Sequence, residues 1–278
     1  MENRLATPFF EVARAPMYAV LNGQNIKSDT EALINPSGEI IGQVSKRYRV
    51  VSNDEVANVF EEALEGIQVL SLRDHMNHNG SSWKREIVLD NDEYSWMVNG
   101  QDECKMKLEI FNSYNGKMSV GFRVSGWRKV CSNGMFGWSH ILTARLSHFS
   151  DGIVDSIRNS FNNKIGLFGE KIKIFEEWDE QTFTKKDYED FIESRDYLSD
   201  KMKEKYKGYY DPIMNKYGGN RETKWESYNV LTAIAQHYTR ARQGSNVFSA
   251  SYKRTEKLAL ELGEWTPIRE KSIAIAMG

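Results

Sequence analysis

The chain has 278 residues, 40% of them hydrophobic and 12% aromatic, which is enough apolar material for one large core or one core with a helical appendage. With 37 basic residues against 39 acidic ones and a formal charge of −2, the whole molecule is not the basic body of a simple nucleic-acid binder, so any such binding must come from a local patch. No apolar run approaches the roughly 18 residues of a membrane span, MENRLATPFFEVARAP lacks the basic start and apolar middle of a signal peptide, and Cys104 and Cys131 are too few for a disulfide framework, so a cytoplasmic protein off the membrane, with reduced structural cysteines, is expected.

From about Ile41 to Phe136 the signals are mainly those of strands. GQVSKRYRVV is short and β-branched, and SSWKREIVL and YSWMV flank the turn-prone LDNDE. One helix interrupts them: NDEVANVFEEALEG opens on Asn53 or Asp54 as a cap, carries Val56, Val59, Phe60 and Leu64 at helical spacing, and stops at Gly66. In CKMKLEIF, Met106, Leu108 and Ile110 alternate with Lys105, Lys107 and Glu109. Beyond Asn115-Gly116, Met118, Val120, Phe122 and Val124 alternate with Ser119, Gly121, Arg123 and Ser125. Asn-Gly tolerates the positive φ of a type I′ turn, so a hairpin with a greasy face and a polar face is predicted, its tip at Asn115-Gly116.

The period then changes from two to about 3.6. Ile153, Val154, Ile157, Phe161, Ile165, Phe168, Ile172 and Phe175 recur every three or four positions, with Ser150 placed to cap a long amphipathic helix. Its stripe needs a large flat partner, and the greasy face of the preceding sheet is the candidate. TKKDYEDFIESRDYLSDKMKEKYKGYY reads as a charged helix capped by Thr184. Thr223 and Glu226 form a capping box before WESYNVLTAIAQHYTRARQ, which ends in Arg240 and Arg242 as the macrodipole favours. The expected architecture is α+β: residues 1–180 form a core with a twisted antiparallel sheet of three to five strands and a long helix on one face, and residues 181–278 form a mainly helical C-terminal region.

The chemistry-bearing motifs divide into one group that points to function and several that do not. Lys105, Lys107, Arg123, Arg128 and Lys129 suit a cationic floor that follows phosphates, with Tyr114 and Trp127 as stacking surfaces for bases. SKRYRVV adds Lys46, Arg47 and Arg49. The plain alternative is a solvated sheet face with ordinary lysines. Cations near Arg240, Arg242, Lys253, Arg254 and Lys257 follow from helix ends alone. His75 and His78 lack accompanying carboxylates or thiols for a metal. Cys131 and His148 lack a third orienting group for a nucleophile, and Gly134 to Gly137 lacks the strand-to-helix context of a phosphate loop. Asp90, Asp92, Glu61 and Glu62 would hold Mg²⁺ in a nuclease, but such pairs abound in a chain with 39 acids. No enzyme, no cofactor and no metal are expected.

The run IFNSYNGKMSVGFRVSGWRKVCSNGM, through Asn112, Ser113, Asn115, Gly116, Arg128, Val130, Cys131 and Asn133, resembles the signature of a family of phage and plasmid-like proteins catalogued as a domain of unknown function. Ser147-His148 and the segment from Trp225 to Thr232 resemble its later motifs, so the likeness spans roughly Gly42 to His237. Asn115 stands where an Asp is commoner, which leaves the turn intact. Remote similarity of that family to Rad52-like single-strand annealing proteins has been suggested. The resemblance implies a β-β-β-α core, binding of single-stranded DNA, annealing of complementary strands during recombination or replication of a mobile element, and a homo-oligomeric ring or filament. The alternative from another class is a phage or plasmid protein that inhibits a host defence system by protein contact.

Overall fold

The structure is a computed structural model that describes residues 7–77, 79–98, 100, 102–128, 133–134, 143–217, 221–235 and 250–263. It opens with a hairpin that strand propensity alone did not announce. Strands β1 (Ala13–Leu21) and β2 (Gln24–Ile34) pair antiparallel with Leu21 opposite Gln24, leaving Asn22 and Gly23 as a two-residue turn. Both turn residues have positive φ, 52° and 77°, the geometry that matches the twist of flanking strands and that Asn-Gly tolerates. Strand β3 (Ile40–Ser45) completes a three-stranded sheet in the order β1-β2-β3. The chain leaves this sheet at Ser45, so SKRYRVV is a loop instead of the expected strand. Gly42 on β3 is required by close approach, because a Cβ there would run into the Tyr114 carbonyl.

Helix α1 (Asn53–Ala63) is capped one residue earlier than expected. The Ser52 hydroxyl accepts from the Glu55 amide at 3.0 Å while the Glu55 carboxylate accepts from the Ser52 amide at 2.8 Å, a reciprocal capping box. A second sheet then follows, built from β4 (Val69–Met76), β5 (Ser82–Leu89), β6 (Ser95–Val98), β7 (Asp102–Ser113), β8 (Val120–Arg128), β9 (Asn133–Gly134) and β10 (Thr143–Leu146). Its main path runs β10-β8-β7-β5-β4, with β6 on β7 and β9 on β8. Among the described residues, two sheets of three and seven strands therefore replace the single sheet of three to five. The alternation predicted for β7 and β8 holds, since Met106, Leu108, Ile110, Val120, Phe122 and Val124 are all buried. Their connection is looser than a type I′ turn. Six residues separate Ser113 from Val120, Gly116 alone among them has positive φ, and the Asn115 side chain accepts from the Lys117 amide in an Asx turn.

The helices are α2 (Ile153–Glu180), α3 (Lys185–Glu193), α4 (Asp200–Gly208), α5 (Tyr210–Tyr217), α6 (Lys224–Ala233) and α7 (Ala250–Leu262). The charged stretch after Thr184 is thus broken at 194–199 into two short helices. Among the described residues no helix is long and apolar enough to cross a membrane.

The chain forms two compact units, interleaved in sequence. One comprises Met1–Asn91, Lys107–Val124 and Thr143–Gly166, the other Asp92–Met106, Ser125–Leu142 and Leu167–Gly278. In the first unit Phe60 of α1, Phe122 of β8 and Phe161 of α2 meet edge to face, with centroids 5.1 to 5.5 Å apart. Such contacts add to the area term that drives burial. A second cluster, Leu33, Ile41, Val44, Tyr48 and Tyr114, sits on the three-stranded sheet. In the second unit Phe175 and Trp178 of α2 pack on Trp225 and Tyr228 of α6, a helix buried on every side. Tyr188 and Tyr206 link the short helices, and the Tyr206 hydroxyl meets Thr255 of α7 at 2.7 Å. Ile165, Phe168 and Ile172 of the predicted apolar stripe lie outside the residues whose side chains are described.

Candidate nucleic-acid interface

Those of the expected cations that lie among the described residues fall into three different environments, and only one of these is open. Lys46, Arg47 and Arg49 lie on the loop between β3 and α1. This loop, the start of α2 and Arg14 of β1 line an open cleft of about 730 Å³. Two reciprocal bonds hold the loop against the segment before α2: the Arg49 amide donates to the His148 carbonyl at 2.8 Å, and His148 Nδ1 donates to the Arg49 carbonyl at 3.1 Å. Burial lowers the His148 pKa, with the backbone carbonyls of Arg49 and Met118 opposing it in part, so the ring stays neutral near pH 7 and keeps its proton on Nδ1. Tyr48 stacks on that imidazole with centroids 4.6 Å apart and donates to the Ser113 carbonyl at 2.7 Å. Burial raises its phenol far above the usual range, so it acts as a neutral anchor.

That anchoring turns the loop's cations outward. Lys46, Arg47 and Arg49 are exposed. Arg49 pairs with Asp151, but that carboxylate is 85% exposed, and an ion pair so hydrated is easily exchanged for a phosphate. Arg14 is committed: it pairs with Glu31 and donates to the carbonyls of Ser45 and Tyr48 at 3.0 and 3.1 Å. Phe149, 61% exposed, stands at the cleft with its ring edge-on to Tyr48 at 5.9 Å. The first turns of α1 and α2 contribute Glu55 and Asp155 as well as the positive ends of two helix dipoles, so the local excess of cations is small and lies with Lys46 and Arg47.

The second environment is the polar face of the large sheet, where the predicted floor is self-neutralised. Glu86 of β5 stands directly opposite Glu109 of β7, a pairing that would repel on its own. Lys107 reaches Glu86 at 3.2 Å and Glu109 at 3.1 Å, and Arg123 reaches Glu109 at 3.4 Å. Burial alone would raise both carboxyls, but Lys107 with Lys84 holds Glu86 at about 2, and Lys107, Arg123 and Lys84 hold Glu109 below its usual range. Lys107 and Arg123 expose only 14% and 12% of their side chains. The expected open floor does not form because a central strand packs its polar side chains shoulder to shoulder, and cations there serve the carboxylates beside them.

Lys105 belongs to the second unit, is buried, and pairs with Glu103 at 2.9 Å. Tyr114 cannot be a stacking surface. It is 1% exposed, its hydroxyl accepts from the Asn53 amide at 3.0 Å, and burial pushes its pKa up to about 12. Trp127 is half-buried on β8 with its backbone opposite Gly134. The Arg128 side chain and all of Lys129 lie outside the described residues, as do His78 and Cys131. His75 is a strand residue 3.9 Å from Glu86. Glu61 and Glu62 are engaged with Arg85 and Arg158. No cluster able to hold a metal occurs among the described residues.

Phe149 escapes a sequence reading because it lies in no periodic segment. The available signal is an aromatic residue set among the cap-type residues of SHFSDG. Comparison with curated proteins and with solved structures finds no match. The family model described as "Domain of unknown function (DUF932)" matches residues 40–258, which include the cleft loop, β7, β8 and the start of α2, and the chain therefore belongs to that family.

Proposed function

We propose that this protein binds single-stranded DNA and promotes annealing of complementary strands for a phage or other mobile element, without covalent chemistry. The observation that carries the reading is the cleft: Lys46, Arg47 and Arg49 are held outward by a buried Tyr48–His148 stack beside an exposed Phe149. Single strands are gripped by cations that follow the backbone and aromatic faces that receive bases, and outward cations beside an exposed ring are consistent with that mode. A Rad52-like core of strands followed by a long helix is part of the proposal, supported by the order β7, β8, β10, α2 and by the meeting of Phe122 with Phe161.

The test is titration of a fluorescent oligonucleotide across a salt series. Replacing Lys46 and Arg47 by Ala should weaken binding and make the slope of log K against log salt shallower by about 0.7 for each phosphate that is no longer neutralised. Phe149→Ala should cost about 1 to 3 kcal/mol of binding if a base rests on it. All three side chains are exposed, so thermal melting should not move. Equal affinity of parent and double variant at every salt concentration would remove the cleft from consideration. The second reading, an inhibitor of a host defence system acting by protein contact, draws on the exposed apolar hairpin of β1 and β2, and it predicts no oligonucleotide binding even at low salt.

A further inference from the structure

Besides the single residues Ile40 and Phe149, the first unit exposes large apolar side chains in two clusters, each at a strand edge. One is the outer half of the β1–β2 hairpin. Tyr18 is 54% exposed, Val20 72%, Leu21 60% and Ile26 49%. Tyr18 and Val20 lie on one face; Leu21 and Ile26, which is paired with Ala19, lie on the other. Both faces of the arm are therefore open. From Tyr18 to Ile26 there is no charged residue. The other place is β4, the end strand of the large sheet, where Val69, Leu70 and Leu72 are 40 to 49% exposed.

Edge strands display unpaired amides and carbonyls and are ordinarily blunted by lysine, proline or cover. Here the protection is misplaced for a solitary molecule. Pro16 and a register shift interrupt β1 near its base, before Tyr18, while the apolar outer half has neither. Val69 to Leu72 likewise contains no charge. Among the described residues β1 pairs only with β2, and β4 only with β5.

We infer that copies of this chain associate head to tail, the β1–β2 arm of one copy adding as a strand to the β4 edge of the next. The occupant is a second copy because donor and acceptor are both present on one chain and match: β1 has nine residues and β4 eight, each with one free backbone edge and apolar side chains alongside. A strand of that length laid along such an edge, with four large apolar side chains from one partner and three from the other, covers an area on the order of the 800 Å² per partner that stable interfaces use. Because the two surfaces are different, each copy keeps one unused after pairing, and the assembly grows into a ring or an open filament. This inference does not depend on DNA binding.

Light scattering after size exclusion, on the full chain without nucleic acid, tests it. The parent should exceed a dimer in mass as concentration rises. An arm variant, Val20→Asp with Leu21→Asp, and an edge variant, Leu70→Thr with Leu72→Thr, should each raise the half-assembly concentration at least about tenfold. Mixing the two should give a one-to-one pair that grows no further, since each supplies the surface the other lacks. Circular dichroism establishes that both are folded; the arm variant touches no core residue, so it decides the question if the edge variant unfolds. A parent that stays monomeric throughout overturns the inference and leaves the arm to a foreign protein. Assembly that survives the arm substitutions, or a dimer that survives only the edge substitutions, overturns the head-to-tail pairing.

Discussion

Two hairpins of this protein carry the same Asn-Gly dipeptide and treat their side chains in opposite ways. In β1–β2, Asn22-Gly23 makes the whole turn, and Val20 and Leu21 beside it stand in water. In β7–β8, Asn115-Gly116 is two residues of a six-residue loop, and behind it even Lys107 and Arg123 are largely shielded. Apolar alternation is regular in β7–β8 and weak in β1–β2. What differs is the neighbourhood: β7 has strands on either side and its apolar side chains are buried, whereas, among the described residues, the outer half of β1 has one strand partner and its apolar side chains stand in water. Period-two patterning determines which side chains share a face, but exposure of that face depends on what lies next to it.

The comparison breaks most sharply at the buried hairpin's apolar face. Phe161→Ala should cost about 3 to 5 kcal/mol in denaturant unfolding, because it removes a ring wedged between Phe60 and Phe122 and leaves a cavity. A loss under about 0.5 kcal/mol would mean that α2 is not seated there. On the polar face of the same hairpin, Glu109→Gln should cost about 3 kcal/mol, since it leaves Lys107 and Arg123 shielded with one carboxylate fewer. Acid sharpens this point. Glu86 is held at about 2 against an ordinary 4.5, so its contribution is complete above about pH 4.5 and drains away as the pH falls through the folded value. Unfolding free energy measured from pH 6 down to pH 3 should fall, and the fall should be smaller in Glu109→Gln, where part of the network is gone. A pH-independent stability over that range would mean that the ladder is not formed. The smallest effect belongs to the open hairpin. Val20→Thr should change the unfolding free energy of the monomer by less than about 0.5 kcal/mol, as exposed positions with unchanged strand propensity do.

Much of the fold was legible in the residues themselves. The apolar alternation of β7 and β8, the spacing of Ile153, Ile157 and Phe161, and the caps at Thr184 and Thr223 are local properties, and local chemistry is what a sequence reports directly. The β1–β2 hairpin escapes notice because APMYAVLNGQNIKSDTEALI mixes proline, alanine and charges with few alternating apolar positions, leaving its Asn-Gly turn as the sole strong signal. The site was only partly legible. Three of the expected cations stand together in the cleft, and their exposure could be anticipated from their density; Tyr114 and Lys107 could not be sorted from them, because an aromatic or a lysine beside a strand reads the same whether it meets water or a partner.

The sequence by itself determined the class of each segment, the near balance of charge and the concentration of cations in residues 46–49. Only the tertiary structure decided which cations are available. A lysine's role depends on carboxylates that are distant in the chain, as Lys107 depends on Glu86, and on neighbours that exclude water. It also decided that SKRYRVV is a loop pinned from beneath, through a Tyr48–His148 contact between segments far apart in the chain, which composition and periodicity do not encode because pairing across such a distance is selected by the packing of the whole unit.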